Sequence, residues 1–212
     1  MTVERQGENV CILRDLSADP VLVAAWIESE EIAGVVEAYP AVETVGVWIE
    51  SESAFNRLVE RVAAFRLGES SREARTHSIP VCLDLGPDLE RVLVELALSR
   101  EALAEALAVP VRCQMLGFSP GFPYLGPIPE PLRGLMRLKT PRVRVEPGSV
   151  GLVGDQACIY PSATPGGWNL IGRTPLVIAN PSEDRFPIHP GDWIAFRIIS
   201  EEVFHQMVGE PL

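Results

Sequence analysis

At 212 residues, 47% of them hydrophobic, the chain can build one large domain or two small ones around a substantial core. It has no run of 18 apolar residues, which excludes a transmembrane helix, and its opening stretch, MTVERQGENVCILRD, is too charged for a secretory leader, so a cytoplasmic protein is expected. A net charge of −11 argues against nucleic acid as a partner, and four dispersed cysteines without a C-x-x-C pair, beside only three histidines, predict buried thiols and no metal site.

Val10–Leu13 reads as a short strand. Asp19–Ile32 reads as a helix, with Asp19 as its cap, Pro20 in its first turn and apolar residues at helical spacing. Gly34–Tyr39 and Glu43–Glu50 read as two strands joined at Pro40, the second alternating Val45, Val47 and Ile49 on one side. Ser51–Phe65 forms a second amphipathic helix, with Phe55, Leu58, Val62 and Phe65 on one stripe. The polar run Gly68–Thr76 reads as a linker. A strand near Ser78–Leu83 would complete a ferredoxin-like βαββαβ unit. The expected division is therefore a small α+β domain over residues 1–76 and a second domain over 77–212.

Beyond the linker the texture changes. Gly86–Leu98 and Ser99–Ala108 read as short helices, with Pro87 and Ser99 at their starts. From Val111 onward the chain is strands and irregular loops. Val143–Val145, Ser149–Val153, Ala157–Tyr160, Asn169–Thr174, Leu176–Ala179 and Trp193–Ile199 are short and β-like, separated by turn signals such as Pro147-Gly148 and Pro190-Gly191-Asp192. Many short strands at such spacing predict a closed or nearly closed barrel.

Two segments depart from what plain turns require: LGFSPGFPYLG over 116–126 and YPSATPGGWNLIGRT over 160–174. Both combine glycine and proline with large aromatics. Phe118, Pro120, Phe122, Tyr124 and Trp168 are therefore expected to shape a cleft or a partner face. Ser119 has the neighbours of a nucleophile elbow, but Pro120 removes the amide that an elbow uses for its oxyanion hole. No catalytic residue can be named. Neither a P-loop nor a dinucleotide fingerprint is present. Gly166 and Gly167 could offer consecutive amides to an anion, or simply make a tight hairpin turn. Arg142 and Arg173 each stand beside a proline and could hold a carboxylate or phosphate through two parallel hydrogen bonds, or pair with the acidic first half of the chain. Gln156 and Tyr160 could point toward the same cleft. A small anionic substrate suits such a set. Asp88 reads as part of a helix start and Asp192 as a turn residue.

GFSPGFPYLG, then TPRVRVEPGSVGLVG, then the YP…TPGGWNLIGRTPL run closely resemble the KipI / allophanate hydrolase subunit 1 family, over roughly Ser78–Phe204. The resemblance implies a small α+β domain followed by a cyclophilin-like β-barrel. It also implies a partner of the KipA or allophanate hydrolase subunit 2 type, with a third subunit in the 5-oxoprolinase assembly. The implied reaction is ATP-dependent opening of 5-oxoproline to glutamate, with ATP serving the assembled complex and no cofactor assigned to this chain. The alternatives within the resemblance are a regulatory protein that inhibits a sensor histidine kinase and a subunit of an allophanate- or urea-processing complex. The chain departs from the family pattern in four places. The loop before GPDL is shortened to Leu83-Asp84-Leu85, Ala106-Leu107-Ala108 stands where a histidine is common, Val111 stands where a tyrosine is common, and a glycine pair is reduced to Gly126-Pro127.

Overall fold

The computed structural model describes residues 1–66 and 73–212, so most of the Gly68–Thr76 linker lies outside the described residues. The chain divides into two compact units, Met1–Glu73 and Ala74–Leu212.

The first unit opens with a hairpin of β1 (Thr2–Gln6) and β2 (Val10–Arg14). Helix α1 (Pro20–Ser29) follows, its start fixed by the Asp19 carboxylate accepting the Val21 amide at 2.9 Å. Strands β3 (Val35–Pro40) and β4 (Val45–Ile49) pair antiparallel, and α2 (Glu52–Ala63) is capped by Ser51. The sheet order is β1-β2-β4-β3. Its core holds Cys11, Leu13, Val23, Ile27, Val45, Val47, Ile49 and Leu58.

This unit is not the expected βαββαβ. The split arrangement β2-β4-β3 with two helices is present, but the place beside β2 is filled by β1, from the N-terminal side. The strand expected to close the sheet, near Ser78–Leu83, belongs instead to the second unit as β5 (Thr76–Val81). Strand β1 escapes sequence reading for a physical reason. It is a sheet edge with four of its five residues exposed, so it carries no apolar alternation.

In the second unit a 3-10 turn at Leu83–Leu85 leads to α3 (Leu89–Leu96) and α4 (Arg100–Ala108), the latter capped by Ser99. Then come β6 (Val111–Leu116), β7 (Pro123–Leu125), β8 (Arg142–Val145), β9 (Ser149–Val153), β10 (Gln156–Ile159), β11 (Thr164–Gly166), β12 (Asn169–Arg173), β13 (Trp193–Ile198) and α5 (Glu201–Met207). Seven strands of this unit form one sheet in the order β12-β9-β10-β7-β6-β13-β5. Cys82, just past β5, exchanges two backbone hydrogen bonds with Arg173 at the end of β12, at 2.9 and 3.0 Å. The two edges of the sheet thus meet, and the result is a nearly closed, barrel-like sheet around Ile79, Val81, Val150, Leu152, Ile159, Ile171 and Ile194. The segment Leu176–Ala179 does not join the sheet as a strand. Pro175 and Pro181 bracket it, and the Val177 amide bonds to the Glu210 carbonyl near the C-terminus.

Candidate functional site

The strand register sorts this sheet into two faces. One row crosses β6, β7, β10, β9 and β12 as Met115, Tyr124, Cys158, Gly151 and Leu170. The adjacent row, Cys113, Leu125, Ala157 and Leu152, belongs to the barrel core. Side chains alternate along a strand, so Phe122 and Tyr160, each two residues from a member of the first row, stand on the face away from that core. There they gather with Val145, Cys158, Trp168 and Leu170 in a second, separate apolar cluster, with Tyr124 packed against it.

The rings interlock around Phe122. Its centroid lies 5.0 Å from Tyr124, 5.1 Å from Tyr160, 5.2 Å from Phe118 and 6.4 Å from Trp168, all tilted or edge-on. Tyr124 and Trp168 are 6.0 Å apart. These are favourable aromatic geometries. The two aromatic-rich segments, some forty residues apart in sequence, therefore do converge on one surface. Phe118 holds a φ of +65°, a conformation non-glycine residues rarely adopt, and it is 63% exposed beside the exposed Pro120. Gly121 is required here, since its φ is +74° and a Cβ would fall 2.3 Å from that of Ala179. The Ser119 hydroxyl is buried with no hydrogen-bond partner among the described residues, and it sits in a loop rather than at a strand-to-helix elbow.

Arg137, in sequence only one charge of a basic loop, places its guanidinium 5.9 Å from the Trp168 ring centroid. Burial pushes the Tyr124 phenol above its ordinary pKa, helped by neighbouring Cys158 and opposed by Arg137. Burial does the same, more strongly, to Tyr160 and to the Cys158 thiol. These groups stay protonated at neutral pH. The face can therefore donate hydrogen bonds from Tyr124 and offer aromatic surface.

The polar candidates separate. Gln156 lies on β10, two residues before Cys158, and shares a 3.4 Å hydrogen bond with Gln114. Tyr160 is 1% exposed and serves as core. Gly166 and Gly167 make neither a nest nor a hairpin turn. Neither has positive φ, and Thr164–Gly166 is an extended strand paired with β8. Gly166 is glycine because a Cβ there would lie 2.3 Å from the Tyr160 hydroxyl. Arg142 directs its guanidinium to the Asp88 carboxylate, at 2.7 Å to each oxygen, and donates to the Trp168 carbonyl at 3.2 Å. Its partner is thus neither a free anion nor the acidic first half. Asp88 in turn accepts the Leu170 amide at 2.7 Å, a clamp that reaches well beyond a helix start. Asp192 likewise exceeds a turn residue. It is fully buried and accepts the Arg75 and His189 amides while facing His77 at 3.1 Å. Arg173 stands at the far end of β12 from Trp168, on the wall of a cleft of about 410 Å³. All four cysteines are buried and reduced.

The family described as carboxyltransferase domain, subdomain C and D, matches residues 12–188. The chain belongs to this family. Within the carboxyltransferase-domain relatives, the B subunit of 5-oxoprolinase from Bacillus subtilis (strain 168) is 35% identical over 203 residues, covering 86% of this chain and 83% of that protein. Its counterpart in Escherichia coli O157:H7, also named as the B subunit of 5-oxoprolinase, is 39% identical over 175 residues, covering 78% and 79%. Among solved structures, TTHA0988 superposes with a TM-score of 0.77 at 30% identity over 90% of this chain. This chain spans 40% of the length of TTHA0988.

Proposed function

We propose that this chain is the B-type subunit of a 5-oxoprolinase complex in the cytoplasm, with a cyclophilin-like barrel as its second unit. The observation that carries this reading is the identity of 35–39% to proteins named as 5-oxoprolinase B subunits, spread over most of both chains. The reaction is ATP-dependent opening of 5-oxoproline to glutamate. The lactam is a resonance-stabilised amide. Transfer of the γ-phosphoryl group of ATP to the amide oxygen would make the ring carbon electrophilic. Water would then add to that carbon, the C–N bond break with the nitrogen taking a proton, and a second water hydrolyse the resulting acyl phosphate to the carboxylate and inorganic phosphate. Neither common phosphate-binding loop occurs in this sequence, and we assign the nucleotide to the assembled complex rather than to this chain.

The aromatic face is our candidate for the surface that meets a partner of the allophanate hydrolase subunit 2 type. Phe118 projects from it with unusual backbone geometry, and large exposed aromatics are the residues that anchor protein interfaces. Such a face would supply shape and hydrogen-bond donors to a site that the partner completes. The names of the relatives favour this reading over a kinase inhibitor or a urea-processing subunit.

The test is co-expression with the partner subunits, purification of the assembly, and measurement of glutamate released from 5-oxoproline with and without ATP. ATP-dependent release is expected. No release from a complete assembly, beside an active control complex, would refute the reading.

A further inference from the structure

The cleft beside Arg173 belongs to none of the aromatic machinery, and its lining has a definite chemistry. Its volume of about 410 Å³ lies in the range of small-molecule sites. Three of its lining residues, Pro147, Pro161 and Pro175, are prolines, which offer no amide donors. Phe204 and Val208 add apolar surface. The Thr174 hydroxyl accepts the Leu176 amide at 3.3 Å.

Against this largely apolar lining stand the His205 imidazole and one guanidinium. Arg173 donates from Nε to the Pro147 carbonyl at 2.7 Å, and its Cζ lies 5.8 Å from the centre of the Phe204 ring. Both contacts fix the plane of the fork before any ligand arrives. Its two terminal nitrogens have no carboxylate partner among the described residues. The nearby carboxylate Glu146 bonds to Arg144 at 2.8 Å, which lowers its pKa with help from the Arg173 charge, and Glu201 faces His205 at 3.5 Å. A preoriented cationic fork in a largely apolar hollow selects a ligand with one carboxylate on a compact body.

We infer that the Arg173 cleft is a binding site for a small monocarboxylate, with Arg173 holding the carboxylate and the prolines, Phe204 and Val208 enclosing the rest. The inference rests on the lactam-cleaving reading only for its choice of probe, 5-oxoproline, which carries a single carboxylate on a compact ring.

The experiment is a titration of the full chain followed by methyl NMR, with Leu176, Val177 and Val208 as reporters. One arm uses 5-oxoproline and the other 2-pyrrolidinone, the same ring without its carboxylate. Saturable shifts at these methyls are expected with 5-oxoproline, and binding at least about tenfold weaker with 2-pyrrolidinone. Arg173→Gln should weaken 5-oxoproline by a similar factor. Val208 is 60% exposed, so Val208→Glu sets a repelling charge at the cleft without touching the core, and it should weaken 5-oxoproline more than 2-pyrrolidinone. Equal binding of the two probes, or no shift at the reporter methyls, overturns the inference, as does undiminished binding in Val208→Glu. The two readings fail separately. A chain that binds 5-oxoproline here while its complete assembly releases no glutamate refutes the enzyme reading and leaves the site. An active assembly whose KM is unchanged by Arg173→Gln refutes the site and leaves the enzyme reading.

Discussion

Replacing Asp88 by alanine tests whether the Asp88–Arg142 pair is structural or belongs to a binding site. Asp88 is 9% exposed; its carboxylate accepts from the Arg142 fork at 2.7 Å and from the Leu170 amide at 2.7 Å, and Arg91 stands 3.7 Å away as an ion pair. Asp88→Ala leaves the buried Leu170 amide without an acceptor, which costs about 1–3 kcal/mol. It also strands the Arg142 charge. That side chain is about a quarter exposed and recovers some hydration, so its share falls below the roughly 3–5 kcal/mol of a fully buried broken pair. The sum is about 3 kcal/mol, or a melting temperature lowered by about 10 °C in a unit of this size. Asp88→Asn keeps an acceptor for Leu170 and should cost about half as much. Arg142→Ala should destabilise comparably, and a double-mutant cycle should show strong coupling between the two positions. Differential scanning calorimetry gives the stability, and hydrogen exchange at the Leu170 amide localises it. If Asp88→Ala melts within about 1 °C of the parent and the Leu170 amide stays protected, the clamp contributes nothing and the reasoning fails.

Gly166→Ala should destabilise the second unit by about 1–3 kcal/mol through overpacking against Tyr160, and Tyr160→Phe, by removing the hydroxyl 2.3 Å from the new Cβ, should recover part of that in urea unfolding. A Gly166→Ala variant as stable as the parent would show that the contact is slack. With all four cysteines buried and the Cys11 and Cys158 thiols pushed up by burial, native protein should react with Ellman's reagent only slowly, and all four thiols should react in denaturant. Rapid native reaction of Cys158 would contradict its placement beneath the aromatic cluster. Burial raises the Tyr124 and Tyr160 phenols above their unfolded values, so from about pH 10 upward the unfolded chain sheds these protons first and stability falls as pH rises. Absorbance at 295 nm and thermal melts across that range check both halves, and a stability independent of pH there would count against the burial.

What the sequence can and cannot reveal follows a physical division. Helices with capping residues and an apolar stripe are readable: Asp19, Ser51 and Ser99 all accept the amides their positions promise. Strands with alternation, such as Val45–Ile49, are readable too. Strand β1 is not, because an exposed edge needs no apolar residues, and the fourth position of the first sheet is therefore assigned to the wrong segment. The aromatic convergence can be anticipated, since phenylalanine, tyrosine and tryptophan in proline–glycine loops have to bury their area somewhere. The partners of charged residues cannot. Arg142 and Asp88 are 54 residues apart, and local sequence carries no trace of a pairing made by barrel closure. The same holds for Arg137 over Trp168, where only the three-dimensional fold brings the basic loop to the ring.

The position of that basic loop gives the aromatic face its character. The face lies outside the barrel core, so it is not needed to fill the interior, yet it holds most of the large rings of the second unit in mutual contact. Asp88 and Arg142 secure the backbone at Trp168 and Leu170, and Gly166 lets Tyr160 lie flush beneath the neighbouring strand. Each of these contacts fixes the base of the cluster and leaves its rim, Phe118, Tyr124 and Arg137, open. A rigid base under an exposed rim is what a surface needs in order to bind without ordering itself first, since side chains already held in place lose less entropy on contact. The Arg173 fork is prepared in the same way, pinned on one edge by the Pro147 carbonyl and stacked on Phe204. Because the two features lie at opposite ends of β12, loss of the clamp at Leu170 should disturb the aromatic face more than the cleft. Phe118→Ala should therefore weaken assembly with the partner while leaving 5-oxoproline binding by the free chain unchanged. A Phe118→Ala chain that assembles with undiminished affinity would remove the face from the interface.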